Sequence, residues 1–124
     1  MSASIRYIVD NVEDAIAFYK DKLGFNVDMH PAPGFAALSK GDLVLFLNQP
    51  GIGGAGAPMA DGAFPVPGGW NRFQVETDNL DKLVKELKSK GASFRNEIIS
   101  GVGGKQALLQ DPSGNLIELF EAKK

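Results

Sequence analysis

The chain contains no cysteine, which excludes disulfides, thiolate metal sites and a cysteine nucleophile. Histidine is almost as scarce. His30 is the only one, so one copy of the chain cannot assemble a site from two imidazoles and a carboxylate. Pooling His30 from two copies would require both to meet at a symmetry axis. No cluster of carboxylates marks an all-oxygen Mg²⁺ or Ca²⁺ site. No apolar stretch approaches the ~18 residues that a membrane span needs. Met1-Ser2-Ala3-Ser4 runs directly into Ile5-Arg6-Tyr7-Ile8-Val9, without the charged and apolar regions of a signal peptide. A cytoplasmic location is therefore expected. Neither sign of charge dominates: 13 Lys and Arg face 15 Asp and Glu, for a net charge of −2. The basic residues are scattered, so neither nucleic acid nor a membrane is expected as a partner.

What is present is 124 residues, 44% hydrophobic and 23% charged, the makeup of one globular domain. Two segments carry a helical period. Val12, Ala15, Ile16, Tyr19 and Leu23 share one face, as do Leu80, Leu83, Val84 and Leu87. Asp10-Asn11 and Asp78-Asn79 precede them with N-cap chemistry. Each segment ends in Lys-x-Lys followed by a glycine, Gly24 or Gly91, a cationic last turn and a C-cap residue.

The two segments superpose at a shift of 68 residues, and Gly41-Asp42-Leu43-Val44-Leu45 resembles Gly114-Asn115-Leu116-Ile117-Glu118. Surface helices share general grammar, but caps, period and later strand agree in order here, which favours a tandem duplication. Strand-like runs surround each helix. They are Ser4 to Val9, Phe25 to His30, Phe35 to Ser39 and Leu43 to Leu47, then Trp70 to Thr77, Ser93 to Ser100, Lys105 to Gln110 and Leu116 to Glu121. The expected fold is α+β, with two tandem βαβββ modules forming a curved mixed sheet around a cleft. As one domain over 1–124, it divides into module one at about 1–49, a Gly/Pro-rich linker over 50–69 and module two at about 70–124. The linker is either a plain tether between the repeats or a lid or binding loop, and Met59, Phe64 and Val66 argue for some docking.

Val9-x-Asn11-Val12-x-x-x-Ile16-x-Phe18-Tyr19-x-x-x-Leu23-Gly24-Phe25 resembles the opening signature of the vicinal-oxygen-chelate superfamily of glyoxalase, bleomycin-resistance and dioxygenase-like domains. Asp111-Pro112-Ser113-Gly114-Asn115-Leu116-Ile117-Glu118-Leu119 is similar to the closing one. The resemblance covers nearly the whole chain. It implies lyases, isomerases, dioxygenases, transferases or drug-binding proteins, with homodimers common, and a divalent metal on four side chains in the enzymes. Carried over onto this sequence, the four slots fall on Ser4, Leu45, Arg72 and Glu118. Only Glu118 is a competent ligand; a guanidinium has no lone pair and leucine cannot coordinate. No metal or other cofactor is expected.

Strand alternation places Ser4, Arg6 and Ile8 on the cleft side, with Trp70, Arg72, Gln74 and Glu76, and Leu116, Glu118 and Phe120. With Leu45, a slot that the resemblance implies, the candidate ligand-binding residues are Ser4, Arg6, Leu45, Trp70, Arg72, Gln74, Glu118 and Phe120. Arg72 and Glu118 either form a structural ion pair or act as catalytic residues, Glu118 as acid/base and Arg72 as electrostatic partner. Trp70 is either a stacking face or a core anchor. His30 reads as a surface residue, and Gly101-Val102-Gly103-Gly104-Lys105 as a hairpin connection. The leading expectation is a metal-independent protein that binds a small apolar or aromatic molecule. The alternative is a lyase or isomerase acting on a small oxygenated substrate.

Overall fold

In a computed structural model describing residues 2–124, both Asp-Asn pairs start helices: α1 spans Val12–Leu23 and α2 spans Leu80–Ser89. Asn11 and Asn79 are the caps. Their side chains accept from the amides three residues on, Asp14 at 2.8 Å and Lys82 at 3.0 Å. A second orphan amide in each first turn finds a distant acceptor. Gln49 Oε1 takes the Val12 amide at 2.9 Å, and Glu121 Oε1 takes the Leu80 amide at 2.8 Å. Gly24 ends α1 in the left-handed region at φ 74°. The second helix ends differently from expectation. Lys90 caps it at φ −93°, and the left-handed turn falls on Gly91 at φ 83°.

The backbone divides into two units, one ending at Gly68 and the other starting at Gly69. In the first, β1 (Ile5–Ile8), β2 (Asn26–Ala32), β3 (Phe35–Lys40) and β4 (Leu43–Asn48) form a sheet. Its order is β1-β4-β3-β2, with β1 parallel to β4 and the other pairs antiparallel. In the second, β5 (Arg72–Glu76), β6 (Ser93–Phe94), β7 (Ile99–Ser100), β8 (Gly104–Gln110) and β9 (Leu116–Ala122) repeat the scheme. The order is β5-β9-β8-β6, with β7 also on β8 and β5 parallel to β9. Hydrogen bonding thus makes two mixed sheets, of four and five strands.

The run expected as one strand from Ser93 to Ser100 is split. In the gap Asn96 Oδ1 accepts the Leu108 amide at 2.8 Å, and the Arg95 amide donates to the Leu108 carbonyl at 2.9 Å. A side chain there stands in for a ladder bond.

In each unit the buried apolar residues fill the space between sheet and helix. Tyr7, Val9, Ala36, Leu38, Leu45 and Leu47 lie with Val12, Ala15, Tyr19 and Leu23 in one core. Phe73, Ala107, Leu109, Ile117 and Leu119 lie with Leu80, Val84 and Leu87 in the other. Tyr19 meets Phe18 and Phe25 edge to face, with ring centroids 5.0 and 5.4 Å away.

The edge strand β2 is exposed along all seven residues, contains Pro31, and shifts register at Val27/Met29 and Met29/Ala32. The Gly/Pro-rich segment stays with the first unit as far as Gly68. Its docking residue is Ile52, whose side chain covers Gly34 so closely that a Cβ there would lie 2.3 Å from Ile52 Cγ2. Met59, Phe64 and Val66, expected to dock, are 56%, 51% and 73% exposed.

Candidate functional site

The second unit gathers the polar candidates. Parallel pairing puts Gln74 opposite Glu118 and Glu76 opposite Phe120. Strand alternation buries Phe73 and leaves Arg72 and Gln74 on the outer face. The turn before β9 fixes the approach of Glu118. The Asp111 carboxylate accepts from the amides of Ser113 and Asn115, both at 2.9 Å, and from Asn115 Nδ2 at 3.1 Å. That is an Asx turn with both partners buried.

On this face Arg72 Nε donates to Glu118 Oε1 at 3.1 Å, and Nη2 lies 3.0 Å from the same oxygen. Gln74 Nε2 donates to Oε2 at 2.7 Å. Both carboxylate oxygens are therefore engaged. The pair is partly screened by solvent, with side-chain exposures of 31% for Arg72 and 14% for Glu118. Arg72 Nη1 reaches back to the Trp70 carbonyl at 3.4 Å.

Trp70 is 62% exposed, which removes the core-anchor reading and leaves an open aromatic face. The Arg95 guanidinium carbon sits 4.1 Å from its ring centroid, within cation–π range. Trp70, Arg72, Arg95, Asn96, Ile99, Gln106 and Leu108 line a cavity of about 380 Å³. Sequence reasoning missed Arg95, Asn96, Ile99 and Gln106. Reading 93–100 as an unbroken strand hid the face of Arg95, and the polar Asn96-Glu97 pair inside that run was the available signal.

The other candidates lie in the first unit or elsewhere. Ser4 is exposed just ahead of β1. Arg6 Nε donates to Asn48 Oδ1 at 2.9 Å, and its guanidinium lies 5.0 Å from the Phe46 ring centroid. Phe120 is half-buried on β9.

Leu45 requires correction. It is fully buried, pairs with Ile5 and shares its row with Leu47, so it belongs to the core below α1. Phe46, opposite Arg6, holds the position equivalent to Glu118 opposite Gln74. The matching bonds prove the offset: Val9 amide to Asn48 carbonyl and Thr77 amide to Phe120 carbonyl, both 2.9 Å. Val9 and Thr77 are 68 residues apart, but Asn48 and Phe120 are 72 apart.

His30 on β2 has Nε2 3.4 Å from Glu13 Oε1. The glycine segment after Ser100 is a hairpin connection, closed by the Gly101 amide on the Gly104 carbonyl at 2.7 Å. Lys105 beyond it bonds Asp81. Among the described residues no helix is long and apolar enough to cross a membrane.

A βαβββ unit present twice, each with one helix on a mixed sheet, defines an α+β class of duplicated folds. The chain belongs to the Glyoxalase/Bleomycin resistance protein/Dioxygenase superfamily, whose sequence profile matches residues 2–119. Bleomycin resistance proteins of Geobacillus stearothermophilus and Staphylococcus aureus are 27% identical over 123 residues, covering 94% of this chain and 92% of theirs. The crystal structure of lactoylglutathione lyase from Agrobacterium tumefaciens superposes with TM-score 0.75 at 20% identity, covering 97% of this chain and 92% of that one. A glyoxalase/bleomycin resistance protein/dioxygenase from Nocardioides gives TM-score 0.74 at 20% identity, covering 100% and 85%. These structures are alike in fold.

Proposed function

We propose that the protein binds a small apolar or aromatic molecule on the face of the second unit that carries Trp70, without the metal typical of the superfamily's enzymes. The observation that carries this reading is the occupation of both Glu118 oxygens by Arg72 and Gln74. A carboxylate so engaged, with a permanent cation beside it, is a poor donor to a divalent ion. The remaining slots fit no better: Ser4 is a neutral hydroxyl, Leu45 lies in the core, and its structural counterpart Phe46 has no donor atom. What remains is an exposed indole beside a small cavity that combines apolar walls with Arg72, Arg95, Asn96 and Gln106, a composition suited to a ligand site. The relatives' name, bleomycin resistance protein, agrees with a chain that meets a small molecule. A homodimer in the cytoplasm completes the proposal; light scattering at micromolar concentration checks the pairing, and a monomer mass would overturn that part.

Trp70 is the only tryptophan, so its emission reports the site directly. Apolar, aromatic and carboxylate-bearing molecules are titrated while emission is followed, with metal content measured on the same preparation. Saturable change, metal far below one per chain, and binding retained in Glu118→Gln support the proposal. About one tightly held transition metal per chain, or turnover that Glu118→Gln abolishes, favours the lyase or isomerase alternative.

A further inference from the structure

The cavity beside Trp70 has an asymmetry of charge. Two charged side chains line it, Arg72 and Arg95, and Glu118 pairs with the first of them. Arg72 and Glu118 neutralise one another at 3.0 Å. Arg95 has no carboxylate within ion-pair distance among the described residues, and its guanidinium contact is the Trp70 ring. The site is left with one uncompensated positive charge. The other walls are apolar or amide-bearing: Trp70, Ile99, Leu108, Asn96 and Gln106.

The cation–π contact restrains the Arg95 guanidinium, which makes no side-chain hydrogen bond or ion pair among the described residues. Arg95 is thus held in place with its hydrogen-bonding edge unspent. Its backbone is fixed as well, because the Arg95 amide bonds the Leu108 carbonyl and the next side chain, Asn96, fills the ladder gap. A planar fork of donors on a fixed backbone suits a carboxylate or another oxyanion. Trp70 and the aliphatic floor suit the apolar body attached to it, and about 380 Å³ accommodates a body of one or two rings.

We infer that this cavity takes a small aromatic molecule bearing an anionic group, with Arg95 as the anion anchor and Trp70 as the apolar platform. The inference rests on the small-molecule reading above and adds the charge of the ligand and the residue that selects it. Arg72 is excluded as the anchor because Glu118 already occupies it.

The test uses calorimetric titration of the full chain at pH 7 with 2-naphthoate and with its neutral counterpart 2-naphthamide. The wild type is expected to bind the carboxylate about tenfold more tightly. Arg95→Gln should bring 2-naphthoate down to the affinity of 2-naphthamide, and a circular dichroism spectrum matching that of the wild type shows that the variant is folded. Arg95→Lys should keep part of the preference. Equal binding of both probes by the wild type overturns the inference and leaves the small-molecule reading standing. A preference that survives in Arg95→Gln overturns the role of Arg95. Binding of neither probe at millimolar concentration overturns the inference and the reading together.

Discussion

Glu121 accepts the first free amide of α2, Leu80, at 2.8 Å, the service Gln49 performs for α1 at Val12. The two acceptors are 72 residues apart, the same offset as Asn48 and Phe120, although Gln49 comes just after β4 and Glu121 lies within β9; each ties a helix start to the strand that the sheet pairs with β1 or β5. The duplication therefore extends to a long-range hydrogen bond. In the second unit the acceptor is also charged, which suits the positive end of a helix.

Removing that acceptor should loosen α2. Glu121→Ala is expected to cost about 1 kcal/mol. Glu121→Gln should cost less, because an amide oxygen still accepts. Urea unfolding reads the difference as a lower midpoint at unchanged slope. If alanine and glutamine behave alike, charge at the helix end outweighs the hydrogen bond.

Two glycines in the first unit should differ in their tolerance of alanine. A Cβ at Gly56 would lie 2.2 Å from the Gln49 carbonyl oxygen and 2.5 Å from that of Ile52, both backbone atoms. At Gly34 it would meet only the Ile52 side chain, which is 39% exposed and able to swing away. Gly56→Ala is expected to cost about 2 kcal/mol or more, and Gly34→Ala clearly less. Thermal unfolding of the two variants side by side decides the order.

Lys105 offers a pH test. Its hydrogen bond to Asp81, aided by the charges of Asp81 and Glu121 against some desolvation, raises its pKa above the usual 10.5. A raised folded-state pKa means the contribution is full below about pH 10.5 and fades as pH climbs through the folded value. Lys105→Met should therefore be less stable than the wild type at pH 8, and the gap should close toward pH 12. A gap independent of pH would assign the loss to packing.

Arg72 and Glu118 should couple weakly. Both remain partly solvated, so a double-mutant cycle with alanine at each position is expected to give about 0.5–1 kcal/mol. A coupling near zero would mean that Gln74 alone suffices to hold the carboxylate.

Helices and strands were legible because their signals are local: apolar spacing near 3.6, alternation by two, asparagine at the start and glycine at the end. The positions of Arg72, Gln74 and Glu118 on one face followed from the same alternation. Leu45 was misplaced because counting forward from glycine assumes equal turns. The first hairpin turns on Gly41 and Asp42 alone, the second on Asp111 to Asn115. A slip of one residue sends a side chain to the opposite face. Arg95 and the long-range acceptors Gln49 and Glu121 were invisible for another reason. Their partners are set by tertiary packing, with no spacing rule to announce them.

The edge strand β2 bears on how the protein behaves when crowded. An exposed strand offers its free backbone groups as a template for another strand. Here Pro31 removes one donor and two register shifts break the straight run. Asp28 is bonded inward to Ser39 Oγ at 3.0 Å, keeping a charge on the rim. A chain guarded in this way should stay dispersed in concentrated storage and resist seeding into fibrils along that rim, even with Val27 and Met29 in open view.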